Sequence, residues 1–206
     1  MKEINFENVI LESPYEKLKK ESKVVDAKGA PILMYNRSNS DFEKFELGKR
    51  NLETKAGSNQ FGFFFSDRND LRNYGSFVKN RYLNIKNPWD IRDLGHITTY
   101  NDFRAKLEEI GITSKDLAGY DLAFQDHNIK RNKNMGSYDG LYKNRGTSLK
   151  PAKETRMATF NFFDAGDGHY LRKLLQSKGF DGVFCADEGE ITAIAFDPDQ
   201  IIKPNK

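Results

Sequence analysis

The chain of 206 residues contains one cysteine, Cys185, and a single thiol cannot close an intramolecular disulfide. No CxxC pair and no Cys/His cluster is present, which excludes a disulfide framework and a structural zinc centre. The longest apolar runs are a few residues, such as Phe61 to Phe65 with Gly62 inside it. That is far below the ~20 residues a membrane-spanning helix needs. The opening residues, MKEINFENVI, lack the apolar core of a signal peptide. Also missing are GxxxxGK(S/T), GxGxxG, GxSxG and HExxH, so the phosphate-loop, dinucleotide-fold, hydrolase-elbow and zinc-protease chemistries lack their residues. These absences predict a soluble single domain in a reducing compartment.

Charge is present in both signs, 33 Lys+Arg against 30 Asp+Glu. It is unevenly spread. Lys130 to Arg156 holds eight basic residues against Asp139 and Glu154, a local +6 that leaves the remainder of the chain at −3. A solvated loop and an electrostatic contact for a phosphate-rich partner both fit this polar stretch. The three histidines, His96, His127 and His169, are far apart and read as surface or helix-end residues. Cys185 lies in an apolar strand pattern and reads as a small core residue, since a reactive thiolate needs a positive, exposed setting.

Apolar spacing and turn signals give the organisation. A short amphipathic helix is expected in the first twenty residues, interrupted near Pro14. SKVV and PILMY around Asp26-Ala-Lys-Gly29 predict a hairpin over 22–35. QFGFFFS, residues 60–66, predicts a central strand that a backbone or ligand approaches closely at its glycine. Asp67 or Asp70 would then cap a helix ending at Gly75. Further strands are expected at 77–85, 158–163, 180–185 and 191–196, the last two flanking the acidic turn Asp187-Glu-Gly-Glu190. Helices are expected at 100–110, 114–124 and 169–178, with Gly179 just past the end of the last. The elements do not alternate strictly, so the prediction is α+β with antiparallel sheets.

Five segments, SKVVDAKGAPILMYNRSNSDFEKF, GFFFSDRNDLRNYG, LNIKNPWDI, LLQSKGFDGVF and AIAFDPDQIIK, occur in an order that resembles the ADP-ribosyltransferase domain of polyvalent proteins of phages and other mobile elements. The resemblance runs from about Ser22 to Lys203 and lapses between about Leu94 and Phe160. It implies one domain over 1–206, two packed antiparallel sheets with flanking helices, and a helical and basic insertion at 94–160. It also implies a mono-ADP-ribosyltransferase, a glycosyltransferase in reaction type, that splits NAD⁺ without a metal. Its acceptor would be a host protein or nucleic acid, in the host cytoplasm or after packaging in a virion.

Cleaving the nicotinamide–ribose bond creates an oxocarbenium-like centre, so such a site needs a carboxylate near the ribose, an aromatic against nicotinamide and polar groups on the amide and adenosine. In the first motif the resemblance places Tyr35-Asn36-Arg37-Ser38 where the family has Tyr-His-Gly-Ser/Thr. Asn36 is suited to a ribose hydroxyl and Arg37 to a pyrophosphate. In the second, Gly62-Phe63-Phe64-Phe65-Ser66 matches closely. Phe64 stands where the family often has tyrosine, and Tyr74 stands where a second aromatic stacks on nicotinamide. Both also fit as core. The catalytic glutamate is expected four residues before Phe196, where the chain has Thr192. Glu190 is two residues earlier, on the same face but ~6.6 Å along the strand, and is the candidate carboxylate; Glu188 is a weaker substitute. The missing histidine and the threonine equally suit a catalytically silent member of the fold, acting as virion cargo or a binding module.

Overall fold

The computed structural model describes residues 13–47, 60–70, 75–122, 156–187 and 190–204. The basic stretch up to residue 155 lies outside them, as do Tyr74 and Glu188. Nine strands and four helices are seen among the described residues. Seven strands form one hydrogen-bonded sheet in the order β4-β7-β8-β2-β1-β3-β9. They are β1 (Met34–Ser38), β2 (Phe63–Ser66), β3 (Phe77–Leu83), β4 (Pro88–Asp90), β7 (Gly182–Asp187), β8 (Glu190–Ala195) and β9 (Ile201–Ile202). A separate ribbon pairs β5 (Ile97–Thr99) with β6 (Arg156–Ala158). The architecture is α+β, but it differs from two packed antiparallel sheets: the main sheet is continuous, and β4 runs parallel to β7.

Side-chain alternation along the central strands builds two cores. Val183, Cys185, Ile194 and Phe196 point to one face, with Phe64 packed against them. Phe63, Phe65, Phe184, Ala193 and Ala195 point to the other, where Val24, Met34, Phe45, Leu83 and Ile85 join them. Helices cover the first face. α2 (Tyr100–Glu109) is capped by Thr99, whose hydroxyl accepts from Asp102 N at 3.1 Å, and it buries Tyr100, Phe103 and Leu107. α3 (residues 114–122) buries Leu117 and Tyr120. α4 (His169–Ser177) buries Leu171 and Leu175, as their spacing predicts, with Gly179 just beyond its end. Phe103 stacks on Phe162 with ring centres 4.6 Å apart, and Phe61 stacks on Phe163 at 4.4 Å. Each such pair adds about 0.5–1.5 kcal/mol beyond the area it buries.

Several local expectations are corrected. Pro14 opens a helix: α1 (Pro14–Glu21) has Ser13 as its N-cap and Pro14 in the first turn, where the missing N–H is no loss, while residues 1–12 of the expected first helix lie outside the described residues. The 22–35 hairpin shrinks to the single bridge Val25–Pro31 around a turn in which Asp26 Oδ1 accepts from Lys28 N and Ala30 N. Its first arm is held instead at the end of β3, by Ser22 Oγ donating to Leu83 O at 2.6 Å and Lys23 N donating to Ile85 O at 2.7 Å. Of the expected 158–163 strand only Ala158 is extended, as the last residue of Arg156–Ala158; Thr159–Gly168 winds into 3-10 turns. Asp67 N donates to Ile191 O and prolongs the β2–β8 ladder, while residues 71–74 of the helix expected before Gly75 lie outside the described residues.

The Asp-Pro-x-Gln-Ile ending is architectural. Asp197 and Gln200 form a capping box. Gln200 Oε1 accepts from Phe196 N and Asp197 N at 2.9 and 2.8 Å, while its Nε2 donates to Asp181 O at 2.9 Å and to Asn84 O at 3.4 Å. Asp181 in turn accepts from Lys86 N and Asn87 N, each at 2.8 Å. Three of the five recognised segments thus meet just past Ala195 and fix where β8 ends.

Candidate active site

The ladder registers decide which site residues come together. Ser66 on β2 lies opposite Tyr35 on β1 and opposite Thr192 on β8, and Thr192 lies opposite Cys185 on β7. Tyr35, Ser66, Thr192 and Cys185 therefore form one row across the sheet. One step along β8, Glu190 faces Asp187 as the last pair of the β7–β8 ladder. Side chains two residues apart on a strand share a face, so Glu190 and Thr192 stand on the same side as Ser66. Glu190 is a strand residue, not part of the turn, and only 5 % exposed.

Its carboxylate is unusual for so buried a position. Oε2 has no hydrogen-bond partner among the described residues. Burial pushes the Glu190 carboxyl above the ordinary carboxylate range; the Ser66 hydroxyl hydrogen bond opposes this, Asp187 and Asp67 add to it through like charge, and Arg68 opposes it. A buried polar atom without a partner carries a desolvation cost of about 1–3 kcal/mol or more. The fold sustains that cost at the end of a strand where a substrate could supply the partner.

Asn36 is buried on β1. Its Nδ2 donates to Phe64 O at 2.7 Å, while Oδ1 is buried without a partner among the described residues. One half of the amide therefore locks β1 against β2, and the other remains an acceptor for a hydroxyl or amide. Arg37 donates from one terminal nitrogen to Gly75 O at 3.2 Å and from the other to Asn69 O. These contacts clamp the segments on either side of residues 71–74. Ser38 Oγ accepts from Ser40 N at 3.2 Å. Gly75 crosses Ser38 so closely that a Cβ there would sit 2.2 Å from the Ser38 carbonyl carbon, at φ +121°. Only glycine fits.

Phe64 is half-buried and leans on Phe61 and Phe163 at 6.4 and 6.3 Å, so it is anchored in the helical core with one flank open. Gly62 meets the expectation of a close approach. A Cβ there would lie 2.6 Å from Ile194 Cγ2 and 2.7 Å from Ala195 O, so what approaches it is strand β8. Cys185 is 1 % exposed, and burial first, then the charges of Asp187, Asp90 and Glu190, pushes its thiol well above the ordinary range. It is a core residue.

Sequence reasoning missed His96 and Asp187. His96 Nδ1 lies 2.7 Å from Asp187 Oδ1, which corrects the reading of His96 as an isolated surface residue. Nothing local in the sequence signals the contact, because the two residues are brought together by packing of the β5 region against the end of β7. An open concavity of about 570 Å³ is lined by Asp93, Ile97, Thr98, Asp102, Lys106 and Glu109 and shares no residue with this row. No group of His, Cys, Asp and Glu able to hold a metal ion is present among the described residues.

A family model described as the ADP-ribosyltransferase in polyvalent proteins matches residues 26–204. The chain belongs to that family. The match spans the first strand, the Glu190 row and the capping box alike, so the site described above lies within an ADP-ribosyltransferase domain. No curated protein and no solved structure matches the chain. Within the family domain, Ser66, Thr192 and Glu190 are buried polar residues on one face of the paired strands β2 and β8.

Proposed function

We propose that the chain is a mono-ADP-ribosyltransferase that takes NAD⁺ as substrate, with Glu190 as its catalytic carboxylate. The observation that carries this reading is the buried Glu190 Oε2, unpartnered among the described residues, on the same face as Ser66 within a domain of this family. In the reaction the bond between ribose C1′ and the nicotinamide nitrogen breaks, and its electron pair leaves with neutral nicotinamide. Positive charge builds on C1′ and the ring oxygen. A carboxylate fixed beside the ribose stabilises that charge more than it does the ground state. The acceptor nucleophile then bonds to C1′ and loses its proton.

The remaining residues have parts that their geometry suits. Ser66 donates to Glu190 and favours its ionised form. Asn36 alternates to the face opposite Ser66 and Glu190, with Met34, and its part is to hold β1 to β2 through Phe64 O. Arg37 and Ser38 shape the loop through Asn69, Gly75 and Ser40, with Arg37 adding positive charge for the pyrophosphate. Phe64 gives a flat apolar wall, and Tyr74 is the proposed stacking partner of nicotinamide. No metal takes part. The acceptor is a host macromolecule, the gene's setting a phage or other mobile element, and the site of action the host cytoplasm. The basic stretch from Lys130 to Arg156 serves as contact for a phosphate-rich partner.

Release of nicotinamide from NAD⁺, together with transfer of labelled ADP-ribose to host lysate, tests the reading. Both should occur with the wild-type chain and fall with Glu190→Gln. One observation favours a silent binding module: Asn36 and Arg37 already spend donors on Phe64, Asn69 and Gly75. That alternative predicts no turnover and no heat of NAD⁺ binding at millimolar ligand.

A further inference from the structure

The β7–β8 register sets two carboxylates, Asp187 and Glu190, directly opposite each other at the hairpin end of the ladder. Facing like charges destabilise a strand pair, and near neighbours cannot both ionise freely. The structure holds a third group against this pair. His96 Nδ1 is 2.7 Å from Asp187 Oδ1, with the two side chains 30 % and 15 % exposed. The histidine is built in place. Thr159, itself buried, donates from its hydroxyl to Gly95 O at 2.6 Å and from its N–H to His96 O at 2.8 Å.

We propose that His96 is a positioning residue that acts through Asp187 to govern the ionisation of Glu190. This rests on the reading of Glu190 as the catalytic carboxylate. An imidazolium beside Asp187 offsets the charge that Asp187 presents to Glu190 and orients its carboxylate away from it. Every other charged or titratable group facing Glu190 among the described residues is accounted for. From β7 it faces Asp187 and the buried, uncharged Cys185; from the extension of β2 it faces Asp67 and Arg68, and Arg68 is bound to Asp70 at 2.8 and 3.0 Å. Arg68 thus divides its charge between two carboxylates. Among the described residues His96 is the histidine that reaches the pair.

The test is a carbon-13 carboxyl NMR titration of Glu190 in the full chain, followed by the pH profile of nicotinamide release. Asp187→Asn should lower the Glu190 midpoint, and His96→Gln should raise it by about one to two pH units, the size of one charge acting over about 6–12 Å in an effective dielectric of ~20. His96→Gln should have a much smaller effect in the Asp187→Asn background. His96→Lys, which keeps a cation in place, should restore the wild-type midpoint; a purely structural role for the imidazole would not be rescued this way. A midpoint unchanged by His96→Gln, or changed equally with and without Asp187, overturns the proposal. The titration reads Glu190 whether or not NAD⁺ is turned over. A midpoint that moves while the acid limb of turnover stays fixed would support the coupling and remove Glu190 from the chemistry.

Discussion

Ser66 stands opposite Thr192 in the β2–β8 ladder, and Glu190 stands one pleat further along β8 on the same face. The candidate carboxylate is thus two residues from the position that the spacing to Phe196 suggests. Thr192, 8 % exposed and flanked by Ser66 and Cys185, fills the vacated place with a hydroxyl and a methyl group.

The two positions should therefore differ sharply in activity. Glu190→Gln should lower NAD⁺ turnover by about 10²–10³-fold, the loss expected from removing one charge that stabilises a transition state. Thr192→Val should cost only a few-fold. Initial rates of nicotinamide release at saturating NAD⁺ compare them. If Thr192→Val proves the more damaging, the catalytic assignment fails.

Glu190 should also weaken the fold as pH rises. Its carboxyl titrates above the ordinary range in the folded state, so the folded chain binds more protons than the unfolded one in the window between the two values. Stability contributed by the protonated form is present below the unfolded-state value of about 4.3 and is lost as pH climbs through the folded-state value. Glu190→Gln removes this loss. Thermal melts should show the variant matching wild type at low pH and exceeding it at pH 7.

Gln200→Ala should be costly although the side chain is remote from the Glu190 row. It removes acceptors from Phe196 N and Asp197 N and donors from Asp181 O and Asn84 O. At roughly 1 kcal/mol per hydrogen bond, less for the long contact to Asn84, the loss should be about 2–4 kcal/mol. Urea unfolding measures it; a loss below 1 kcal/mol would show that water replaces the amide.

Gly75→Ala should strain the crossing at Ser38. The added Cβ meets backbone atoms 2.2 and 2.3 Å away at a positive φ, so the segment must shift, at a cost of about 1–3 kcal/mol. Arg37 would lose its bond to Gly75 O. The expected signature is a raised KM for NAD⁺ with a smaller change in kcat, from steady-state kinetics.

Elements carried by local chemistry were legible in the sequence. Leu171 and Leu175 with Gly179 behind them announce α4, and the aromatic run from Phe63 announces β2. The layering was not. Sheet order depends on which strands meet across long stretches of chain, and the parallel pairing of Pro88–Asp90 with β7 has no local mark beyond the apolar Trp89. The site divides the same way. Asn36, Ser66 and Glu190 could be found because they sit in or beside recognisable motifs, while the contact of His96 with Asp187 joins residues whose neighbours in sequence carry no motif.

Strand β4 ends at Asp90 and its parallel neighbour β7 begins at Gly182. The chain between them is one connection, and the strands that carry Ser66 and Glu190 do not depend on its length for their register. Closing a longer loop costs only about 0.6 kcal/mol for each doubling. A change in the length of chain between Leu122 and Arg156 should therefore cost the Ser66–Thr192 register little.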